Sequence, residues 1–354
     1  MAQKQISPQE RALMFGKSTR QNIQMLPKQT VNQGQQTVQF TLPKARLLSK
    51  ISFDVIAKIK IKHASQTTIK QDVFSPYKLL RRVQLDLNNG FSPFVIGGKE
   101  LAMYNMIRLN PSVIIPQNKN SRGMCFFPTC VASSAGTDNT FKFTVELPVA
   151  LNQRDAIGLI LLQNEATQVT LSIDIANGAD IFENQEGYTV DIQSVEISPS
   201  TETFSVPAIE QAFPDLSVIK LVNSKTETFA GSGQNIIKLA TGTMYRKLLF
   251  YVTDNDGIPF KDEDITSNIE LIFNQADINY SIRAESLAHL NESNLGYSLP
   301  EGLFIFDFTY QGIPNLGGTR DIIDTEKLTE FWLRFSSQKS GKITVVSENL
   351  ARLK

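Results

Sequence analysis

The sequence predicts an all-β protein built from two β-sandwiches in tandem. Three observations predict it. From Gln36 onward, apolar and polar residues alternate in short runs; turn signals separate these runs without regular helices between them; and one stretch recurs at an offset of 186 residues. A chain of 354 residues exceeds what one hydrophobic core usually organises, so two domains are expected.

Residues 1–30 read as an N-terminal arm. Ser7-Pro8-Gln9-Glu10 combines an N-cap serine, a proline at the first helical position and a glutamate at the third, which predicts a short helix ended or weakened by Gly16. That helix carries Leu13, Met14 and Phe15 beside Arg11 and Lys17, with Arg20 just beyond. The apolar face is too small for a core helix and suits a partner surface or a membrane interface, with a frayed terminus as the plainer alternative.

The strands follow. In SFDVIAKIKIK, Phe53, Val55, Ala57, Ile59 and Ile61 fall on one face and Asp54, Lys58, Lys60 and Lys62 on the other. FKFTVEL (Phe141 to Leu147) and FIFDFTY (Phe304 to Tyr310) alternate in the same way, as half-buried antiparallel strands do. Further strands are expected at QVTLSIDIA from Gln168, YTVDIQSVEI from Tyr188, KLLFYV from Lys247, IELIF from Ile269, FWLRF from Phe331 and KITVV from Lys342. Asn88-Asn89-Gly90, Asp256-Gly257 and Ser340-Gly341 mark turns.

The repeat aligns Val83–Asn105 with Ile269–Asn291 without a gap. Leu85/Leu271, Asn88/Asn274, Ile96/Ile282, Leu101/Leu287, Ala102/Ala288 and Asn105/Asn291 are identical. A strand, a short helix, a Phe-rich strand and an Arg-Asp loop follow in the same order in both copies. The loops are LNQRDAIG, holding Arg154 and Asp155, and GGTRDIID, holding Arg320 and Asp321. A pair that recurs with its fold reads as a structural fastener of a sandwich corner rather than a catalytic dyad. The Pro- and Ser-containing stretch Ile197–Asp215 lies between the copies, so the expected domains are 31–205 and 206–354.

Composition excludes several functions. The longest apolar run, Ala156–Leu162, is far short of the roughly 18 residues of a membrane span, and MAQKQISPQE has no apolar signal core. Cys125 and Cys130 are too few for a disulfide framework and lack zinc partners, so they read as reduced thiols. His63 and His289 form no metal or catalytic motif, and no Walker A, GxSxG or GxGxxG signature occurs. No catalytic, cofactor or metal residue is assigned. Asp254–Gly257 followed by Lys261–Asp264 is a possible calcium loop by its carboxylates, but reads more simply as a hairpin turn with an acidic tip. Trp332 and the many phenylalanines, set in alternating strands, are expected in the core.

Net charge is zero, yet residues 1–82 hold 15 Lys/Arg against Glu10, Asp54 and Asp72, a balance of 15 − 3 = +12. Either one end of the molecule faces something anionic, or the lysines are scattered over separate faces.

Local words then point to a family. KHASQ (Lys62–Gln66), PYKLLRRVQLDLNNG followed by KELAMYNMI, and ELPVALNQRDAIGLILLQN running into TLSIDIAN make the chain resemble the major capsid proteins of tectiviruses, tailless double-stranded DNA phages with an internal membrane, most of all those infecting Bacillus. The resemblance implies a double jelly roll: two eight-stranded sandwiches, short helices in loops and an N-terminal helical arm. It implies a homotrimer serving as a pseudo-hexagonal tile of an icosahedral shell, assembled in the host bacterial cytoplasm and located in the virion. The implied partners are the chain itself, neighbouring trimers, other capsid and vertex proteins, and the internal membrane through the arm, with no sequence-specific nucleic acid. Short loops in the second copy and an end soon after KITVVSENL depart from longer members, so outward towers and a long C-terminal clamp are not expected. The alternative is a sandwich that binds carbohydrate or a receptor; a β-sandwich hydrolase is the least expected.

Overall fold

The computed structural model describes residues 7–88, 90–114, 124–151, 157–163, 166, 168–182, 186–231, 233–310 and 322–352. Described residues within Met1–Ala102, Ile115–Lys220 and Arg352–Lys354 form one compact unit, and those within Met103–Ile114 and Leu221–Ala351 a second.

The first unit opens with α1 (Pro8–Ser18) and continues through β1 (Gln21–Met25), β2 (Gln29–Val31), β3 (Thr37–Thr41), β4 (Leu47–Lys62), β5 (Leu80–Leu87) and β6 (Phe91–Ile96). Helix α2 (Gly98–Met106) begins in this unit and its end, with α3 (Pro111–Ile114), belongs to the second; the first unit then continues with β7 (Cys125–Phe126), β8 (Thr137–Pro148), β9 (Ile160–Leu161), β10 (Val169–Ile175) and β11 (Thr189–Phe204). One sheet runs β1-β11-β4-β8-β7, with β2 also on β11 and β9 on β4; the facing strands run β6-β5-β10-β3. Every pairing described here is antiparallel.

Alternation explains how the sheets close. Phe53, Val55, Ala57, Ile59 and Ile61 of β4, with Phe141, Phe143 and Val145 of β8, turn inward and are at most 1% exposed. Val83 and Leu85 of β5, Phe94 and Ile96 of β6, and Leu171 and Ile173 of β10 supply the opposite wall. Each large buried side chain contributes about 1.5–3 kcal/mol of apolar transfer, so the alternating runs set which face of each strand is inside.

The second unit contains β12 (Val218–Phe229), β13 (Gly233–Leu239), β14 (Met244–Asp254), β15 (Ile269–Phe273), β16 (Asp277–Ile282), α4 (Ala284–Leu295), β17 (Leu303–Asp307), β18 (Ile323–Asp324), β19 (Phe331–Ser337) and β20 (Gly341–Arg352), apart from a few terminal residues of β12 and β20. Its sheets run β13-β19-β15-β16 and β17-β14-β20-β12, with β18 on β14. The core is aromatic. Phe273 stacks on Phe331 with centroids 5.0 Å apart, and Phe250 on Phe304 at 5.4 Å. FIFDFTY departs from simple alternation, because Leu303, Phe304, Ile305 and Phe306 are all buried and the run turns into a short helical turn at Phe308–Tyr310.

Buried polar groups fasten this unit. Lys247 of β14 reaches Asp307 of β17 at 2.5 Å. Tyr104 donates its hydroxyl to Glu348, whose other oxygen pairs with Arg246 Nε at 3.1 Å. Tyr297 donates to the Met106 carbonyl at 2.6 Å. Together these bonds hold the segment Met103–Ile114 to β14, β20 and the turn after α4, where an unpaired carboxylate would cost several kcal/mol.

Both copies of the repeated stretch fold alike, as hairpin then helix: β5, β6 and α2 in the first copy, β15, β16 and α4 in the second. Within residues 1–30 the structure adds β1 and the start of β2 to the expected helix.

Candidate assembly surface

The helix α1 forms as its cap residues dictate. Ser7 Oγ accepts from the Glu10 amide at 3.2 Å, and Glu10 Oε2 accepts from the Ser7 amide at 3.0 Å. Gly16 lies inside the helix; the end comes at Thr19, whose amide and hydroxyl both donate to the Phe15 carbonyl. A single aromatic anchors the helix. Phe15 is 6% exposed and meets Phe204 edge to face at 5.4 Å, in a small cluster with Leu47, Ala150 and Leu159. Arg11, Leu13, Met14, Lys17 and Arg20 are exposed. Phe15 is therefore not part of the outward face on which the sequence placed it, because its helical position points to the sheet while Leu13 and Met14 point to solvent.

Past the helix, the chain docks as an edge strand. Arg20 N donates to Ser205 Oγ and Arg20 O accepts from Ser205 N, both at 2.9 Å, and Leu26 N donates to Pro199 O at 2.8 Å. Between them β1 pairs with β11 in the register Gln21↔Phe204 to Met25↔Ser200. Ile23 and Met25 remain 65% and 57% exposed. Sequence reading missed this strand, since QNIQM holds only two apolar residues and buries neither.

Folding disperses the N-terminal charge. Lys50 bonds Glu146 at 2.9 Å and Glu202 at 2.8 Å; Lys28 meets Glu196, Lys60 Asp138, Lys62 Asp191 and Arg81 Asp174. All of these acids lie beyond residue 82. Burial alone would lower the Lys50 pKa, but its bonds to Glu202 and Glu146 outweigh that and raise it. Of the early basic residues, Arg11, Lys17 and Arg20 stand exposed on and beside α1, next to Leu13 and Met14. The arm is thus a cationic, partly apolar surface of the kind that suits an anionic interface.

The other expected sites resolve separately. Arg154, Asp155, Arg320 and Asp321 lie outside the described residues. Cys125 and Cys130 are free and buried, and burial pushes both thiols up to about 11. Asp254 is spent on its turn, accepting from the amides of Asp256 and Ile258, and Asp264 accepts from Lys261 N and pairs with Lys339 at 2.8 Å. Among the described residues no group of three His, Cys, Asp or Glu side chains could hold a metal ion, and no helix is long and apolar enough to cross a membrane. Trp332 is a correction: Phe331, Leu333 and Phe335 take the core positions of β19, which turns Trp332 and Arg334 to the outer face. A cleft of about 730 Å³ in the second unit is lined by Asp262, Glu285, Glu301, Arg283 and His289. Burial there, with the charges of Glu285 and Glu301, raises the Asp262 pKa above the usual carboxylate value against a smaller opposing effect of His289.

Two sandwiches in one chain, with this order of strands and helices, define a double jelly roll, and comparison with solved structures bears that out. The STIV MCP superimposes with a TM-score of 0.69 at 15% identity, covering 94% of this chain and 97% of that one. The quasi-atomic model of the PBCV-1 virus capsid gives 0.64 at 12% identity, with 94% of each chain covered. The major capsid protein P2 from bacteriophage PM2 gives 0.54 at 9% identity, covering 95% and 98%. No family model and no curated protein sequence matches the chain.

Proposed function

We propose that this protein is the major capsid protein of a virus: a homotrimeric, pseudo-hexagonal tile of an icosahedral shell around an internal membrane and a double-stranded DNA genome, nearest in kind to the tectiviruses of Bacillus. One observation carries the reading, the agreement of fold over nearly the whole of both chains with the STIV MCP. Its work is surface burial without chemical turnover. Trimer interfaces bury strand edges and loops, and weaker contacts between trimers sum over the shell. The α1 arm, with Arg11, Lys17 and Arg20 around Leu13 and Met14, faces the membrane, and Phe15 ties it to the first sandwich. Arg154/Asp155 and Arg320/Asp321 serve as corner fasteners, and the domains divide near residue 205.

Native mass by light scattering tests the tile. A mass near 3 × 39.5 = 118.5 kDa that persists on dilution supports it, and a stable 39.5 kDa monomer counts against it. Trp332, half-buried on an outer sheet face, favours a second reading, a carbohydrate- or receptor-binding sandwich, since an indole partly open to solvent can stack on a sugar ring. That reading requires a monomer that binds on a glycan array and loses binding in Trp332→Ala.

A further inference from the structure

Lysine–carboxylate pairs stud this protein, and one of them differs in kind. Lys247 of β14 stands directly opposite Asp307 of β17, with Nζ 2.5 Å from Oδ2. The other carboxylate oxygen is engaged separately: Asp307 Oδ1 accepts from Thr309 N at 3.0 Å and from Thr309 Oγ1 at 2.6 Å. On the other side of β14, Glu348 of β20 pairs with Lys247 in register, so Asp307, Lys247 and Glu348 form one row on one face of three strands. Water is nearly shut out, since the side chains of Lys247, Asp307 and Glu348 are 16%, 4% and 4% exposed.

Elsewhere the pairs lack this combination. Lys78 meets Asp72, whose Oδ1 accepts from Phe74 N and Ser75 Oγ, but that carboxylate is 30% exposed. Lys50 divides itself between Glu146 and Glu202. Among the described residues, Asp307 is the most buried carboxylate paired with a lysine. The site therefore brings an amine to one carboxyl oxygen and two hydrogen-bond donors to the other, which are the two halves of an acyl-transfer site.

We propose that Lys247 and Asp307 become joined by an isopeptide bond between β14 and β17, formed by the chain itself without a cofactor. An Nζ placed 2.5 Å from Oδ2 lies about 3–3.5 Å from the carboxyl carbon, the near-attack range. One proton passes from the ammonium to Oδ2, which removes two charges from a nearly dry site. The free amine then attacks Cγ, the N–C bond forms, and negative charge gathers on Oδ1, where Thr309 N–H and Oγ1–H already point. A second proton leaves the nitrogen by way of Glu348 for Oδ2, the C–Oδ2 bond breaks, and one water departs as Oδ1 returns to a carbonyl. The third ammonium proton stays as the amide N–H, so atoms and charge balance with no oxidant or reductant. The product ties the chain across a span of 60 residues that holds β15, β16 and α4. This bond neither needs the capsid reading nor tests it.

The intact mass of the purified full chain tests it. After prolonged incubation at neutral pH, the expected mass is that of the sequence less one water, and a protease digest should contain a branched peptide joining Lys247 to Asp307. Lys247→Arg keeps the charge but should retain its full sequence mass. Thr309→Val removes one of the two donors to Oδ1 and should slow the loss of water about 100-fold in a time course on freshly made protein. A parent chain that keeps its full sequence mass overturns the bond. So does a loss of water that Lys247→Arg shares, or one that maps to Asp256-Gly257 as a cyclic imide. Loss at the parent rate in Thr309→Val overturns the part given to Oδ1. Native mass in solution, trimer or monomer, judges the capsid reading independently.

Discussion

Asn88 and Asn274, 186 positions apart, occupy the same left-handed place at the tip of the same hairpin in their respective units, with φ of 56° and 48°. Each side chain also reaches a neighbouring segment. Asn88 Oδ1 accepts from Gln168 N at 2.7 Å, and Asn274 Oδ1 accepts from Thr329 N at 3.0 Å. Asparagine tolerates this backbone and supplies the acceptor. Replacing either with alanine should cost about 2 kcal/mol, from backbone strain together with the lost bond. Glycine should cost less, since it removes only the bond. Urea unfolding of the four variants checks this; an alanine variant as stable as its glycine counterpart would exclude a role for the backbone.

Among the described side chains of α1, Phe15 is the one that is buried, so Phe15→Ala should free the helix without unfolding the sandwich behind it. The expected signs are faster proteolysis near Ser18–Arg20 and faster amide exchange in α1, with a change in melting temperature of a few degrees at most. Global unfolding at room temperature would mean that the Phe204 cluster is part of the main core.

Asp72 sets an acid limit on the first unit. Burial alone would raise its pKa, but the Lys78 charge, with bonds from Lys78, the Phe74 amide and Ser75, holds it below the usual carboxylate value. The unfolded chain therefore takes up this proton first as pH falls. Stability from Asp72 is complete above about pH 4 and is lost as pH drops through the folded value. Asp72→Asn should melt lower than the parent at pH 7, and the gap should narrow toward pH 2. A constant gap across that window would assign the loss to packing.

Vesicle binding tests the arm. Vesicles with an anionic headgroup should bind the protein at low salt and release it near 0.5 M salt, where charge is screened over a few ångström. Replacing Arg11, Lys17 and Arg20 with glutamine should weaken binding by about 1 kcal/mol per residue, near fivefold each. Binding that ignores both salt and these changes would remove the cationic face from the proposal.

What sequence reveals here depends on where the energy lies. Strands such as β4 and β8 were legible because one face is buried and the alternation is enforced by transfer energy. The Ser7–Glu10 cap was legible because it is local. Strand β1 was not, since backbone bonds to β11 hold it and its side chains stay in solvent. Trp332 misled because alternation alone does not say which parity of FWLRF faces inward; the flanking Phe331 and Phe335 decided it. The +12 of residues 1–82 left a patch and a scatter equally open, because the partners Glu146, Glu196 and Glu202 come from far along the chain.

Those long-range pairs give the chain a direction in time. Strand β4 rests between β8 and β11, and its lysines meet acids that lie some 80 to 150 residues later. During synthesis from the N-terminus, the first 82 residues therefore leave the ribosome as an unneutralised polycation whose β4 has no sheet to enter. Closure of the first sandwich waits until Phe204 has been made, and until then the segment is exposed to any polyanion in the cell.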